Sequence, residues 1–257
     1  MQQPTQVPVK PTRIFEIDVL RGVAIVLMTL FHLLFDLAAY FGQNINLYSG
    51  VWFYVGRSSA ILFILLSGVS SSFGGRQFRR GLMVLAAAMV VTLASLPIMG
   101  TNYIRFGILH FFAACMLLKA LFDKFVKNYH ARLVTALALV PLCFFMGGIA
   151  VKTAVNTFWL LPLGFMYPGF SSFDYYPLFP WAALFCLGVA LGMVVYPRRQ
   201  SLFSLDITRP QTGPLRKGLC AVLRPFAFLG RHSLPVYLLH QPLILGVLFL
   251  LSALGVL

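Results

Sequence analysis

The sequence predicts an all-α protein, a polytopic bundle of about seven transmembrane helices with the N-terminus in the cytoplasm. Of its 257 residues, 60% are hydrophobic and only 10% are charged, which is more apolar than a soluble domain of this length accommodates. The apolar residues form runs close to the roughly 20 residues that a helix needs to cross the bilayer. These runs lie at 19–41, 51–73, 79–97, 106–122, 131–150, 178–196 and 234–256.

A shorter apolar run, 158–166, interrupts the linker between the fifth and sixth spans. It contains Pro162 and Gly164, so it predicts a re-entrant half-helix, and an eighth span if it crosses the bilayer. No internal repeat or low-complexity segment divides the chain. We therefore expect a single transmembrane domain over residues 1–257.

The basic residues predict the orientation of the chain. Of the 20 Lys and Arg residues, 17 fall in the N-terminal tail and in alternate linkers, which the positive-inside rule assigns to the cytoplasm. The cytoplasmic parts then include the tail 1–16 and the basic linker 197–233. This distribution explains the net charge of +14 without a nucleic-acid partner.

Within the basic linker, the segment 214–231 predicts an amphipathic helix at the membrane surface. Basic residues alternate there with apolar ones, the pattern of a helix that lies in the headgroup region. The apolar residues of this pattern are Leu215, Leu219, Val222 and Phe226.

The cysteines and histidines predict neither a disulfide nor a metal site. The four cysteines stand singly without a CxxC pair, so a disulfide framework and a zinc site are not indicated. The five histidines lie far apart in the sequence without a ligand motif, and no bound metal is expected.

The first span carries four ionisable side chains on one face. At 100° per residue, Asp18, Arg21, His32 and Asp36 fall within an arc of about 60°. A charged residue inside a span costs about 2.5 kcal/mol or more, so each needs a partner or a water-filled cavity. Asp18 and Arg21 also fit a second interpretation, in which they anchor the helix end at the membrane surface.

His32 and Asp36 are candidate catalytic residues because they lie too deep to reach the cytoplasmic headgroups. A histidine one helical turn from an aspartate can donate its Nδ1 proton to the carboxylate, which leaves Nε2 as a general base. Arg57 enters the second span from the outer side at a similar depth and is a competing partner for Asp36. The sequence leaves this pairing open.

Further polar residues in or near the spans are candidates for substrate binding. His240 and Gln241 lie between Pro235 and Pro242 in the last span, and prolines that break helices are frequent at membrane sites. The outer linker 166–181 is rich in aromatic residues and predicts either an interfacial belt or a lid over a sugar-like substrate. The remaining candidates, at the predicted outer side, are Arg105, His110 and Asp174.

Four segments resemble one known protein family. RIFEIDVLRGVAIVLMTLFHLLFDL, IRFGILHF, DYYPLFPW and GRHSLPVYLLHQPL are similar to the bacterial branch of the heparan-α-glucosaminide N-acetyltransferase catalytic-domain family. The ten-residue interval between Arg21 and His32, and the YLLH that ends in His240, also resemble the wider superfamily of membrane acyltransferases. Eukaryotic members use a histidine in the first outer loop, whereas GQNINLYSG contains none.

The resemblance implies an integral membrane acyltransferase in the inner (plasma) membrane. Acetyl-CoA would be the acyl donor on the cytosolic side, and a glycan or amino sugar the acceptor on the outer side. The resemblance makes His32 the candidate base and Arg21 the candidate donor-binding residue. Its implied reaction is O- or N-acylation, and a homo-oligomer is compatible with the sequence.

Two other classes of function remain open from the sequence. In a transporter or flippase for a small envelope precursor, the same polar face lines a translocation path; inverted repeats would favour this class, and the sequence has none. In a non-catalytic membrane subunit, the polar face only holds helices together. Release of CoA and a labelled product distinguish the enzyme from both.

Overall fold

The computed structural model describes residues 14–202 and 214–257, and these residues form an all-helical protein. Residues 1–13 of the predicted tail and 203–213 of the predicted basic linker lie outside the described residues. The described helices are α1 (Phe15–Tyr40), α2 (Gly50–Ser72), α3 (Gln77–Met99), α4 (Ile108–Phe125), α5 (Tyr129–Lys152), α6 (Leu178–Val195), α7 (Pro214–Arg231) and α8 (Ser233–Ala253).

Each of the seven predicted apolar runs corresponds to one of these helices, which confirms the predicted fold class. Six of the helices are long and apolar enough to cross a membrane, so the chain is a multi-pass membrane protein. Among the helices that correspond to predicted spans, the exception is α4, which carries Lys119, Asp123 and Lys124 near its C-terminal end. These charges shorten its apolar stretch.

The prediction of an eighth span at 158–166 is wrong. Within that run only Leu161–Leu163 is helical, as a single 3₁₀ turn. The turn ends at Gly164, which has a φ of 111°. Such a φ is accessible to glycine and rarely to other residues, and Pro162 contributes no amide hydrogen to continue a helix. The run is therefore a turn between α5 and α6.

Helix α1 packs against α2, α7 and α8. Its approach to α7 is very close, because glycines face the partner backbone on both helices. A Cβ atom added to Gly22 would lie 1.9 Å from the Phe226 carbonyl oxygen, and one added to Gly230 would lie 1.8 Å from the Asp18 carbonyl oxygen. Only glycine permits this approach.

The helix predicted at 214–231 has those boundaries as α7, but its packed face differs from the predicted apolar face. The buried residues are Cys220, Ala227 and Gly230, which are small. Leu219 and Val222 are 46% and 64% exposed. Leu219 and Val222 are therefore available to lipid, while the small residues admit α1.

Small residues also determine the crossing of α2 and α6. A Cβ atom on Gly68 would lie 2.2 Å from the Phe185 carbonyl oxygen, and one on Gly188 would lie 2.2 Å from the Leu65 carbonyl oxygen. Spacing of small residues along a membrane helix is typical of close helix packing, so the crossing brings the two backbones together. Beside it lies the main buried cluster, which includes Ala60, Ile64, Ile108, Phe111, Cys115, Phe185 and Val189.

Replacement of Gly230 by alanine is expected to destabilise the protein, because the new methyl group meets backbone atoms of α1. Overpacking of this kind typically costs about 1–3 kcal/mol. Gly218 lies on the same helix, and a Cβ atom there meets nothing within 4 Å. Gly218→Ala is therefore the matched control, and helix propensity predicts that it stabilises the protein by up to about 1 kcal/mol. Thermal unfolding in detergent measures both changes, and equal melting temperatures would contradict the α1–α7 packing.

Candidate active site

His32 points its ring into the bundle from α1, and backbone geometry determines which nitrogen carries the proton. Its Nδ1 lies 2.9 Å from the Met28 carbonyl oxygen, one turn earlier on α1. A carbonyl oxygen only accepts hydrogen bonds, so Nδ1 carries the proton when the ring is neutral. Nε2 then has a free lone pair, which is the form that a general base requires.

His240 brings a second imidazole ring against the first. The two ring centroids are 4.8 Å apart and the planes meet at 84°, an edge-to-face contact. His240 Nδ1 lies 2.5 Å from the Tyr237 carbonyl oxygen, so here too Nδ1 carries the proton in the neutral ring. Its Nε2 is buried and has no hydrogen-bond partner among the described residues.

Asp36 lies beside the two histidines and is bound by Gln241. The Asp36 residue is 0% exposed, and Gln241 Nε2 lies 2.8 Å from Asp36 Oδ1 and 2.9 Å from Asp36 Oδ2. A buried carboxyl group without a partner is costly, and the amide provides that partner. The bond joins α1 to α8 immediately next to His240.

The Gln241 contact answers the question of the Asp36 partner, which the sequence left open between His32 and Arg57. The structure gives His32 Nδ1 the Met28 carbonyl as its partner and gives the Asp36 carboxyl the Gln241 amide. The competing pair with Arg57 is not formed either. The Arg57 guanidinium lies over the rings of Phe53 and Trp181, at 5.3 and 5.4 Å from their centroids, and Arg57 is exposed.

Asp18 and Arg21 belong to a separate network at the predicted cytoplasmic end of α1. Asp18 is 6% exposed and forms ion pairs with Arg21 at 3.6 Å and with Arg231 of α7 at 3.2 Å. Arg21 also donates to Ser70 Oγ on α2. The network therefore ties α1 to α2 and α7.

The three candidates from the predicted outer side lie where the segment before α4 meets the aromatic linker 166–181. Arg105 donates to the Ser171 carbonyl oxygen at 2.9 Å and lies over the rings of Tyr103 and Phe170. Asp174 Oδ2 accepts from the Ile108 N–H at 2.9 Å, at the first residue of α4, where the amides of the first turn lack helical partners. These contacts fix the aromatic linker against the start of α4.

His110 also takes part in this local structure. Its Nδ1 accepts from the Gly107 N–H at 3.3 Å, and its Nε2 lies 3.3 Å from Thr92 Oγ1. The Thr92 hydroxyl donates to the Ile104 carbonyl oxygen at 2.7 Å. The side chain of His110 thus closes the N-terminal turn of α4 and contacts α3.

Of the nine residues predicted for the site, four come together: His32, Asp36, His240 and Gln241. The sequence interpretation missed Tyr237, whose carbonyl oxygen binds His240 and whose ring centroid lies 5.4 Å from that of His240. Its position three residues before His240 places it on the same face of α8. Within residues 14–202 and 214–257, no group of three His, Cys, Asp or Glu side chains is arranged to hold a metal ion.

Residues 13–242 match the family described as heparan-alpha-glucosaminide N-acetyltransferase, catalytic. The chain belongs to this family. The matched range contains all nine predicted site residues, from Arg21 to Gln241. Comparison with curated proteins and with solved structures gave no match. Membership in this N-acetyltransferase family makes a membrane transferase of the acetyltransferase type the general class of this chain.

In this family member, Asp36 and Gln241 are expected to show strong energetic coupling. Hydrogen bonds to a charged group contribute about 1.5–3 kcal/mol, so a double-mutant cycle with Asp36→Ala and Gln241→Ala should give a coupling energy in that range. Leu239 lies two residues before Gln241 and is 57% exposed. A second cycle with Asp36→Ala and Leu239→Ala is the control, and its coupling should be close to zero. Unfolding in detergent measures both cycles, and similar couplings would exclude the specific bond.

Asp174 is expected to make stability depend on pH. Burial raises the pKa of Asp174 from its usual 3.8 to about 6, and the hydrogen bond from the Ile108 N–H opposes this shift. Since the folded protein favours the protonated carboxyl, this stabilisation is complete below a pH of about 3.8 and is lost as the pH rises through about 6.

The variant Asp174→Asn has no such titration, and its amide oxygen can still accept from Ile108. The stability of the wild type relative to this variant should therefore fall between a pH of about 4 and a pH of about 7. Melting temperatures of both proteins across that range measure the difference. Parallel profiles would show that Asp174 does not titrate in this window.

Proposed function

We propose that this protein is an inner-membrane acyltransferase that moves an acetyl group from acetyl-CoA on the cytosolic side to a glycan or amino sugar on the outer side. The observation that carries the proposal is the contact between the rings of His32 and His240 inside the bundle. Both rings hold Nδ1 against a backbone carbonyl oxygen. Each ring therefore offers the lone pair of its Nε2 to a substrate.

The proposed reaction is a direct transfer between the two substrates. His32 Nε2 accepts the proton of the acceptor hydroxyl or amino group as that group attacks the thioester carbonyl carbon. The bond between the carbonyl carbon and sulfur breaks, and the CoA thiolate leaves and takes up a proton. The acceptor then carries the acetyl group as an ester or amide.

His240 and Asp36 have different roles in this proposal. His240 Nε2 is buried and unpartnered among the described residues, so it can accept a second hydrogen bond from the acceptor and orient it. Asp36 acts through Gln241, since their bond fixes α8 relative to α1. Asp36 is therefore a positioning residue, in place of the direct catalytic role that the sequence suggested.

The two substrates are proposed to approach from opposite ends of the bundle. At the predicted cytoplasmic end, the Arg21 side chain is 25% exposed and is oriented by Asp18, which suits contact with the donor. At the predicted outer end, Arg57 lies beside the rings of Phe53 and Trp181. A cation beside an aromatic face suits a sugar, whose hydroxyl groups bind polar side chains and whose C–H faces stack on rings.

His32→Ala is expected to lower the rate of acetyl transfer by about 10²–10⁴-fold, the usual contribution of a general base. The assay incubates purified protein in detergent with labelled acetyl-CoA and envelope extract, and measures released CoA and labelled product. His130 is exposed and lies at the start of α5, so His130→Ala is the matched control and should retain activity. Full turnover by His32→Ala would remove the base assignment, while no turnover by the wild type would favour a transporter or a non-catalytic subunit.

A further inference from the structure

A second polar region lies away from the histidines, at the predicted cytoplasmic end of the bundle. It is a cavity of about 190 Å³ among the C-terminal ends of α2, α4 and α6 and the N-terminal end of α5. Four of the side chains that line it are basic: Lys119, Lys127, Arg132 and Arg199. We propose that this cavity, here called the basic pocket, binds a phosphate group of a ligand from the cytosolic side.

The positive charge of the basic pocket exceeds the negative charge that contacts it. Asp123 pairs with Lys119 at 2.5 Å and with Arg132 at 3.4 Å. Glu16 forms a hydrogen bond with Tyr196, which also lines the cavity. Among the described residues, two carboxylates thus face four cations, and an anionic ligand balances the remaining charge.

Arg132 and Lys127 are held in place before any ligand binds. Arg132 donates from Nε to the Val126 carbonyl oxygen at 2.7 Å and from Nη2 to the Asp123 carbonyl oxygen at 2.9 Å. Lys127 donates to the same Asp123 carbonyl oxygen at 2.8 Å. Fixed donors bind an oxyanion with less loss of side-chain entropy than freely moving ones.

The first turn of α5 adds to the anion-binding character of the basic pocket. The helix starts at Tyr129, which lines the cavity, and Asn128 caps it by accepting from the Ala131 N–H at 3.0 Å. The N-terminal end of a helix carries partial positive charge and favours phosphate groups. The backbone and the basic side chains therefore attract the same kind of ligand.

A simpler interpretation is that these residues only anchor the helices in the headgroup region, as the positive-inside rule allows. The burial of two of them, and the cavity that all four share, argue against it. The side chains of Lys119 and Arg132 are only 12% and 28% exposed and line one cavity with Lys127 and Arg199. By contrast, Arg79, Arg80 and Lys124 are exposed and do not line this cavity.

Two kinds of molecule at a membrane surface carry such a phosphate group. One is a soluble phosphate ester such as the nucleotide part of CoA, and the other is the headgroup of an anionic phospholipid. Both present oxyanions that pair with Lys and Arg. The inference does not rest on the proposed acyl transfer, because binding is measured without turnover.

The test measures both probes with a pocket variant and a matched control. In the pocket variant, Lys127→Gln and Arg199→Gln remove two exposed cations that line the cavity. In the control, Lys124→Gln and Arg198→Gln remove two exposed cations that do not line it. Both double variants lower the net charge equally, so general electrostatic attraction affects them alike. Arg199→Gln alone serves if the pocket variant does not purify as a folded protein.

The first arm measures binding of adenosine 3′,5′-bisphosphate in a neutral detergent. The second measures how much phosphatidylglycerol remains bound, relative to phosphatidylcholine, after extraction from nanodiscs that contain both lipids. We expect one probe to bind the wild type and the control, and to bind the pocket variant roughly tenfold more weakly. The probe that behaves this way identifies the source of the phosphate. If neither probe binds the wild type, or if both double variants weaken binding equally, the proposal is wrong.

Discussion

The bond between the Asp36 carboxyl and the Gln241 amide joins the two helices that carry the candidate catalytic histidines. It lies in the interior, where Asp36 is 0% exposed, and hydrogen bonds gain strength in surroundings of low dielectric constant. Gln241 follows His240 directly in the sequence, so this bond also limits where the His240 ring can lie. The edge-to-face contact between His32 and His240 depends on the same register of α8 against α1.

Helix α1 satisfies two requirements that usually conflict. One side must hold ionisable groups, which are stable in a membrane only with polar partners, and another must allow close packing, which needs small residues. Gly22 meets the second requirement by admitting the Phe226 backbone, while His32 and Asp36 find partners in Met28 and Gln241. The ionisable face of α1 therefore has polar partners at both ends, from α7 and α2 near Asp18 and from α8 near Asp36.

The sequence predicted what depends on local pattern. The length and apolarity of the runs predicted the helices, and the 100° step between residues predicted that His32 and Asp36 share a face. It did not predict the partner of Asp36, because Gln241 lies 205 positions away and no periodicity relates the two residues. Arg57 was an attractive candidate by charge and depth alone. In the structure it lies over the rings of Phe53 and Trp181. A guanidinium group can bind aromatic faces in addition to carboxylates, so charge alone does not identify its partner.

The same limit applies to the basic residues. The sequence predicts the side of the membrane on which they lie, but not which of them line a binding site. Counting Lys and Arg predicts which linkers are cytoplasmic, because the positive-inside rule depends on the linker and not on the direction of a side chain. It does not distinguish Lys127 from Lys124, which lie just beyond and just before the C-terminal end of α4. Only the fold brings Lys127 to a cavity with Arg132 of α5 and Arg199 beyond α6, and leaves Lys124 over the Phe125 ring. A residue can therefore satisfy the topology rule and contribute to a binding site as well.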